Sequence, residues 1–139
     1  MHYAVPLIFQ RAGMLNTLFS DLYCKWYLRI VLLYFPILNK LRLVKKLLGR
    51  HIVGIPEEKI VHFPFLGFRY MLKQNASKDL SSLLQTYNWI GKSFSKCIIK
   101  NGFNNTDIFY VFNGASLELM ASAKKHEKKI VYEQTIVPF

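Results

Sequence analysis

The sequence lacks the residue patterns that mark most metal centres and common catalytic sites. It contains no Cys-x-x-Cys, His-x-x-x-His, Gly-x-Ser-x-Gly or Gly-x-Gly-x-x-Gly pattern. Gly49 and Gly54 have the spacing of the two glycines of a phosphate-binding P-loop. However, Ile55 and Pro56 stand where that loop requires a lysine and a hydroxyl residue to hold phosphate and magnesium. These absences exclude the simplest zinc, serine-hydrolase, dinucleotide and P-loop interpretations.

Cysteine and long apolar runs are also scarce. Cys24 and Cys97 are the two cysteines, and their separation predicts ordinary thiols of a reduced, cytoplasmic protein with no disulfide framework. The longest apolar stretch, from Trp26 to Leu38, is interrupted by Arg29 and Pro36. A membrane-spanning helix needs about 20 apolar residues, so we expect none here.

Carboxylates are missing from the whole interval between Asp21 and Glu57. This interval holds a predicted basic surface, which consists of Lys25, Arg29, Lys40, Arg42, Lys45, Lys46 and Arg50. Such a charge attracts phosphate on a nucleic acid, an anionic membrane or a diphosphate-linked substrate, and charge alone does not choose among them. The cations could also form the solvated face of core helices, and both interpretations stay open.

The segment from Thr106 to Phe139 carries the clearest fold signal. An apolar run at residues 108–112 precedes a small-residue turn, a helical stretch and a second apolar run at residues 130–132. This order predicts a βαβ unit with parallel strands. We therefore expect an α/β fold in which helices flank a parallel sheet.

The rest of the chain fits this class. We expect a helix from Tyr3 to Gly13 and a short strand near Thr17–Phe19, where a helix is also open. Two helices separated at Pro36 are expected within a basic helical insertion of about residues 24–50. Further expected elements are a strand at residues 59–63 that stops at Pro64, and a long amphipathic helix from residue 80. Ser77 or Asp79 is the expected cap of this helix, and Gly102 lies beyond its end. Residues 66–73 are ambiguous. We expect residues 1–139 to form a single domain.

Several positions are candidates for a binding cleft. The turn Asn113–Ser116 lies between a strand and a helix, where free amides can hold an anion or a hydroxyl group. The same turn could simply cap the helix. Asp21 follows a predicted strand, where open α/β sheets place ligand-binding groups, although a capping role is equally open. The full candidate set is His2, Gly13, Asp21, Asn113, Gly114 and Ser116. The other histidines we interpret as packing or surface residues.

Both ends of the chain resemble a known family. The segments that carry the resemblance are residues 2–7, Arg11–Leu15 and Leu18–Tyr23, together with residues 107–119 and 131–135. They are similar to the amino-terminal domain of family-4, GT-B-type glycosyltransferases, while the middle of the chain matches poorly. The resemblance implies a Rossmann-like, open, mainly parallel sheet flanked by helices, which is the truncated amino-terminal half of a GT-B fold. The family's donor-site signature, two glutamates separated by seven residues, does not occur.

The resemblance implies a function and partners. It implies an acceptor-binding portion of a retaining hexosyltransferase, incomplete and inactive alone, whose missing carboxy-terminal domain would hold the nucleotide-sugar. The implied acceptor is a glycan or a lipid-linked sugar, and the implied location is peripheral, on the inner face of the cytoplasmic membrane. We expect no cofactor and no metal, since an Asp-x-Asp pair is absent. We also expect no nucleic acid. The catalytic residues stay unknown, and the alternative is a basic nucleic-acid- or membrane-binding module without catalysis.

Overall fold

A computed structural model describes residues 3–34, 42–103, 105–112 and 117–134. Within these residues the chain is a mixed α/β protein that divides into two compact units, Met1–Phe68 (unit 1) and Arg69–Phe139 (unit 2). The described helices are, in order, α1 Ala4–Arg11, α2 Trp26–Tyr34, α3 Arg42–Leu48, α4 Pro64–Ala76, α5 Leu80–Asn101 and α6 Leu117–Lys125. The described strands are β1 Leu18–Ser20, β2 Ile60–His62, β3 Ile108–Phe112 and β4 Lys129–Glu133.

The first helix ends as its sequence predicts. Gly13 has a φ of +70°, a conformation that glycine adopts without strain. Its N–H donates to the carbonyl of Gln10 (3.1 Å), and the Met14 N–H donates to the carbonyl of Phe9 (2.8 Å). These two bonds make a Schellman motif, which satisfies carbonyl groups that the last turn of a helix leaves unpaired.

Unit 1 is built around a parallel pair of strands. β1 pairs with β2 in the register Leu18 to Ile60, Phe19 to Val61 and Ser20 to His62. The four buried residues of its core are Tyr23, Ile52, Ile55 and Ile60. Both strands were expected: β1 lies one residue later than predicted, and β2 is one residue shorter at each end.

The residues around Pro64 resolve an ambiguity in the sequence. Pro64 ends the second strand segment, as expected, and is also the first residue of α4. Proline suits that position because its missing N–H would have no helical partner there. The ambiguous residues 66–73 are therefore helical. The expected break at Pro36 lies outside the described residues, while α2 and α3 occupy the two sides of it.

Unit 2 confirms the predicted βαβ order. Asp79 caps α5, because its carboxylate accepts a hydrogen bond from the Ser82 N–H (2.6 Å), and Gly102 follows the helix with a φ of +86°. β3 and β4 pair in parallel over five residues each, with α6 between them along the chain. Leu119 and Ala123 are the buried residues of α6.

The observed sheets have fewer strands than the expected fold. The described strands form two separate two-stranded parallel sheets, one in each unit. The α/β class is thus observed, while a larger Rossmann-like sheet stays a prediction. No described helix is both long enough and apolar enough to cross a bilayer.

Gly67 provides a test of the packing in unit 1. A Cβ atom at this position would lie 2.6 Å from the carbonyl oxygen of Asp21 and 3.0 Å from the Cβ of Leu22. We expect Gly67→Ala to lower the free energy of unfolding by about 1–3 kcal/mol, although alanine favours helices more than glycine does. Urea unfolding followed by circular dichroism measures the change.

Gly13→Ala is the matched control for this prediction. No atom lies within 4 Å of a Cβ placed at Gly13, so its cost should come from the positive φ alone, about 1–2 kcal/mol. Gly13→Asn should cost less, since asparagine tolerates that conformation. A Gly67→Ala protein more stable than the wild type would contradict the close approach of α4 to the segment after β1.

Candidate functional site at the carboxyl edge of the first sheet

The carboxyl edge of the β1–β2 pair brings polar groups together. Both strands end at the same level, and the Phe63 N–H donates to the Ser20 carbonyl (3.1 Å), which extends the pairing by one bond. The Ser20 hydroxyl turns back and donates to the Leu22 carbonyl (2.9 Å). In parallel sheets this edge is where ligand-binding groups collect. Asp21, predicted from sequence to follow a strand, stands at this edge.

Arg50 joins Asp21 there. Its guanidinium Nη1 donates to the Asp21 carboxylate at 3.1 Å, although 29 residues separate the two in sequence. The Arg50 side chain is 42% exposed and that of Asp21 is 21% exposed, so the ion pair contributes little to stability. What it does is orient the two side chains. We call Asp21 and Arg50 the strand-edge pair.

The backbone also holds Arg50 in place. Its N–H donates to the Leu47 carbonyl (2.9 Å) at the end of α3, and its carbonyl accepts from the Cys24 N–H (3.3 Å). Arg50 was predicted as part of a basic surface and Asp21 as part of a cleft. The structure places the two together. Carboxylate oxygens accept from sugar hydroxyl groups, and a guanidinium donates to hydroxyl, carboxylate or phosphate oxygens.

A second polar cluster follows directly, around Tyr23 and Glu57. The Tyr23 hydroxyl donates to Oε1 of Glu57 at 3.2 Å, and the Trp26 N–H donates to the same oxygen at 2.8 Å. Trp26 is the first residue of α2, whose first turn has no acidic residue. Glu57 therefore satisfies an N–H group at the start of α2 from a distant part of the chain, and its negative charge suits that end of the helix dipole.

His51 completes this cluster. Its Nδ1 lies 3.1 Å from the Cys24 carbonyl and 3.4 Å from the Tyr23 hydroxyl. A carbonyl only accepts, so the bond to Cys24 requires a proton on Nδ1. The Tyr23 oxygen can then accept from His51 while it donates to Glu57. Burial of Tyr23, followed by the negative charge of Glu57 and the hydrogen bond to it, raises the pKa of Tyr23 to about 12.

His62 also contacts Tyr23, with ring centroids 6.0 Å apart. Within the described residues no hydrogen-bond partner reaches its buried Nδ1. Burial, assisted by the positive charge of Lys25, lowers the pKa of His62. His51 and His62 were interpreted from sequence as packing or surface residues. Their partners were missed, as were Tyr23 and Glu57.

The remaining predicted site residues are dispersed or lie outside the described residues. Gly13 closes α1 through its backbone, as described above. His2, Asn113, Gly114, Ser116 and Lys40 are not among the described residues. In unit 2, the Tyr110 hydroxyl donates to Glu133 near the carboxyl ends of β3 and β4, and this bond raises the pKa of Tyr110. Nothing in the described structure tests the roles predicted for the turn at residues 113–116.

The predicted basic surface is partly described. Lys45 is exposed on α3, Arg29 is exposed on α2, and the Lys25 ammonium lies 5.9 Å from the Tyr27 ring centroid. Arg42 and Lys46 belong to α3. Within the part of the chain that the structure describes, no three side chains of histidine, cysteine or carboxylate type come together as a metal site. The expectation of metal independence remains a prediction.

Comparisons with known proteins add no relative. No family model, no curated protein and no solved structure matches this chain. The family resemblance of the two ends of the sequence therefore stays a prediction, and the geometry of unit 1 carries the argument.

We predict that Tyr23 contributes a pH-dependent part of the stability. The folded-state pKa is about 12 and the ordinary value is 10.0, so the unfolded chain releases this proton first as the pH rises. The contribution is complete below pH 10.0 and is lost as the pH rises to about 12. Tyr23→Phe should lower the free energy of unfolding by about 1 kcal/mol at neutral pH, because one hydrogen bond to Glu57 is lost.

The difference between wild type and Tyr23→Phe should then shrink as the pH approaches about 12. Urea unfolding at a series of pH values measures it, with Tyr27→Phe as the control for loss of an exposed tyrosine hydroxyl. A difference that is independent of pH would argue against the buried Tyr23 to Glu57 bond.

His62 predicts a second pH effect, in the acid range. Its folded-state pKa is lower than 6.5, so the unfolded chain takes up this proton first as the pH falls. The stabilising contribution of neutral His62 is present above pH 6.5 and is lost as the pH drops through the folded-state pKa. His62→Gln should reduce the slope of the free energy of unfolding against pH below pH 6.5. His126→Gln is the control, because it leaves the contribution of His62 to this slope in place. An unchanged slope in His62→Gln would refute this role.

Proposed function

We propose that the chain is the acceptor-binding portion of a retaining glycosyltransferase that uses a nucleotide-sugar donor. The observation that carries the proposal is the strand-edge pair, a carboxylate and a guanidinium at the carboxyl edge of parallel strands. Two further features support it: both strand pairs are parallel, and β3, α6 and β4 follow in βαβ order. The resemblance of the two ends of the sequence to family-4 transferases supplies the reaction class.

The chemistry proposed for unit 1 is recognition of an acceptor sugar. Asp21 accepts hydrogen bonds from acceptor hydroxyl groups, and Arg50 donates to a hydroxyl or to an anionic group attached to the acceptor. The ion pair between them orients the carboxylate before the sugar arrives, which reduces the entropy lost on binding. In this proposal both are binding residues. The donor and the groups that catalyse transfer belong to the carboxy-terminal domain of the full enzyme.

Two further assignments belong to the proposal. From the resemblance we propose that the sheet is the Rossmann-like sheet of the amino-terminal half of a GT-B enzyme. The resemblance is also the basis for proposing that transfer needs no metal. The turn at residues 113–116 is proposed to supply backbone amides to hydroxyl or phosphate groups, again from its sequence position.

Glycan binding tests the proposal. Saturation-transfer NMR of the chain with a panel of neutral and anionic oligosaccharides should detect a ligand, and Asp21→Asn should weaken it about tenfold, the effect of losing one charge-assisted hydrogen bond. Glu58→Gln is the matched control, because Glu58 is an exposed carboxylate of the same unit. A UDP-sugar added alone should not bind.

Either of two results would overturn the proposal. The first is that no oligosaccharide binds, and the second is that Asp21→Asn binds an oligosaccharide as tightly as the wild type does. Arg50→Gln adds a distinction: it should weaken anionic oligosaccharides more than neutral ones, since only the former lose a charge interaction.

A further inference from the structure

Helix α2 is apolar, and one side of it is exposed. None of its nine residues is buried. Six large apolar or aromatic side chains are each at least half exposed: Trp26 58%, Tyr27 52%, Ile30 55%, Val31 51%, Leu33 53% and Tyr34 84%. Single exposed apolar residues are common in proteins, but a contiguous set of this kind marks a surface that contacts something else.

The exposed residues lie on one side of the helix. At about 100° per residue, the arc that runs from Leu33 through Trp26 and Ile30 to Val31 covers about 160° of the circumference. Leu28 and Leu32, which are half-buried, occupy the opposite side. Arg29 borders the arc next to Leu33. We call the six exposed residues of this arc the α2 face.

Charge identifies the class of partner. Lys25, Arg29 and the exposed Lys45 belong to the same acid-free interval of the chain as the α2 face. The two carboxylates that bound this interval are engaged within unit 1, Asp21 with Arg50 and Glu57 with Tyr23 and the Trp26 N–H. Between these two carboxylates the chain itself offers an anionic partner cations and no acidic side chain. A second copy of the chain would bring the same cations into contact, which is unfavourable.

The residue types of the α2 face suit a membrane interface. Three of the six are aromatic, and Trp26 and Tyr27 contact each other edge to face with centroids 6.1 Å apart. Tryptophan and tyrosine accumulate at the headgroup level of bilayers, where one part of the ring is dry and another can hydrogen-bond. A helix of nine residues is about 14 Å long, so it can lie in the interface and cannot span it.

We propose that the α2 face docks in the plane of a membrane surface rich in anionic phospholipid, with Lys25, Arg29 and Lys45 directed at the headgroups. The apolar side chains enter the boundary between headgroups and acyl chains, and the cations bind lipid phosphates. The bond from the Trp26 N–H to Glu57 fixes the start of the docked helix to unit 1. This inference does not depend on sugar transfer and concerns a different surface.

Vesicle co-sedimentation of the intact chain tests the proposal. Vesicles of equal parts phosphatidylcholine and phosphatidylglycerol should bind the chain at least about tenfold more tightly than vesicles of phosphatidylcholine alone. Added salt should weaken this binding without abolishing it, because the apolar part is not screened.

Variants locate the surface. The double variant Ile30→Gln, Leu33→Gln should bind the anionic vesicles at least about tenfold more weakly, since two apolar side chains no longer enter the bilayer. The matched control is the double variant Leu80→Gln, Leu84→Gln, which alters two exposed leucines at similar helical spacing in α5. This control should bind the anionic vesicles as tightly as the wild type does. Arg29→Gln, compared with Lys92→Gln on α5, should lower affinity and reduce its dependence on salt. Circular dichroism verifies that each variant is folded.

Three results would overturn the proposal. The first is equal binding to neutral and anionic vesicles, or none to either. The second is a combination of two observations: the Ile30 and Leu33 substitutions leave vesicle binding unchanged, and the chain binds duplex DNA as tightly as lipid. This result would identify a basic nucleic-acid surface. The third is concentration-dependent dimerisation that the same substitutions abolish, which would identify a second copy as the occupant. Glycan binding measured without vesicles is a separate readout, so failure here leaves the sugar-binding proposal standing.

Discussion

The carboxylate of Glu57 is the group on which the arrangement of unit 1 depends. One oxygen accepts the Tyr23 hydroxyl and the Trp26 N–H, from residues 34 and 31 positions earlier in the chain. Tyr23 is a core residue and Trp26 begins α2, so this oxygen connects the core to a helix that has little burial of its own. Without such a bond the short helix α2 would have no acidic group at its amino end, and short isolated helices are marginal in water.

The distribution of carboxylates gives one interval of the chain a positive charge that would suit an anionic partner. Asp21 and Glu57 bound an interval without acids, and both are engaged in bonds within unit 1. Among the described cations between them, Arg50 forms an ion pair with Asp21. Surface charge of this kind is screened over about 8–10 Å in physiological salt, so it acts mainly on a partner that comes into contact. An anionic lipid headgroup meets that condition.

Local sequence signals predicted most elements correctly, for physical reasons. The cap of α5 and the glycine after α1 satisfy backbone groups within a few residues, so the sequence alone indicates both. The sequence left Ser77 and Asp79 open as the cap, and the structure shows that it is Asp79. The parallel order of β3 and β4 follows from two apolar runs separated by enough residues for a crossover helix. Residues 66–73 stayed ambiguous because Pro64 ends a strand segment and begins a helix, and either role is compatible with proline.

The polar clusters could not be predicted in the same way. Asp21 and Arg50 are 29 residues apart, and nothing in their immediate neighbours specifies that they pair. The position of Asp21 after a strand was a local signal and was recognised, whereas Glu57 has no such signal. Only the tertiary packing places it beside Tyr23. The sequence did contain a partial clue. Because the interval between Asp21 and Glu57 has no acidic residue, these two carboxylates are the nearest acidic partners along the sequence for hydrogen-bond donors within it.

The two surfaces proposed for unit 1 make a consistent chemical arrangement if the acceptor is attached to a lipid. The sugar of such an acceptor is held at the headgroup level of the membrane, so a site that binds it must also be held there. The chain from Asp21 to Trp26 links the strand-edge pair directly to the start of the α2 face, and the Glu57 bond fixes the end of that link. A freely diffusing glycan would require only the strand-edge pair. Six exposed apolar side chains would then favour aggregation of unit 1 without a functional return. We therefore propose a lipid-linked acceptor, which would give both surfaces a role.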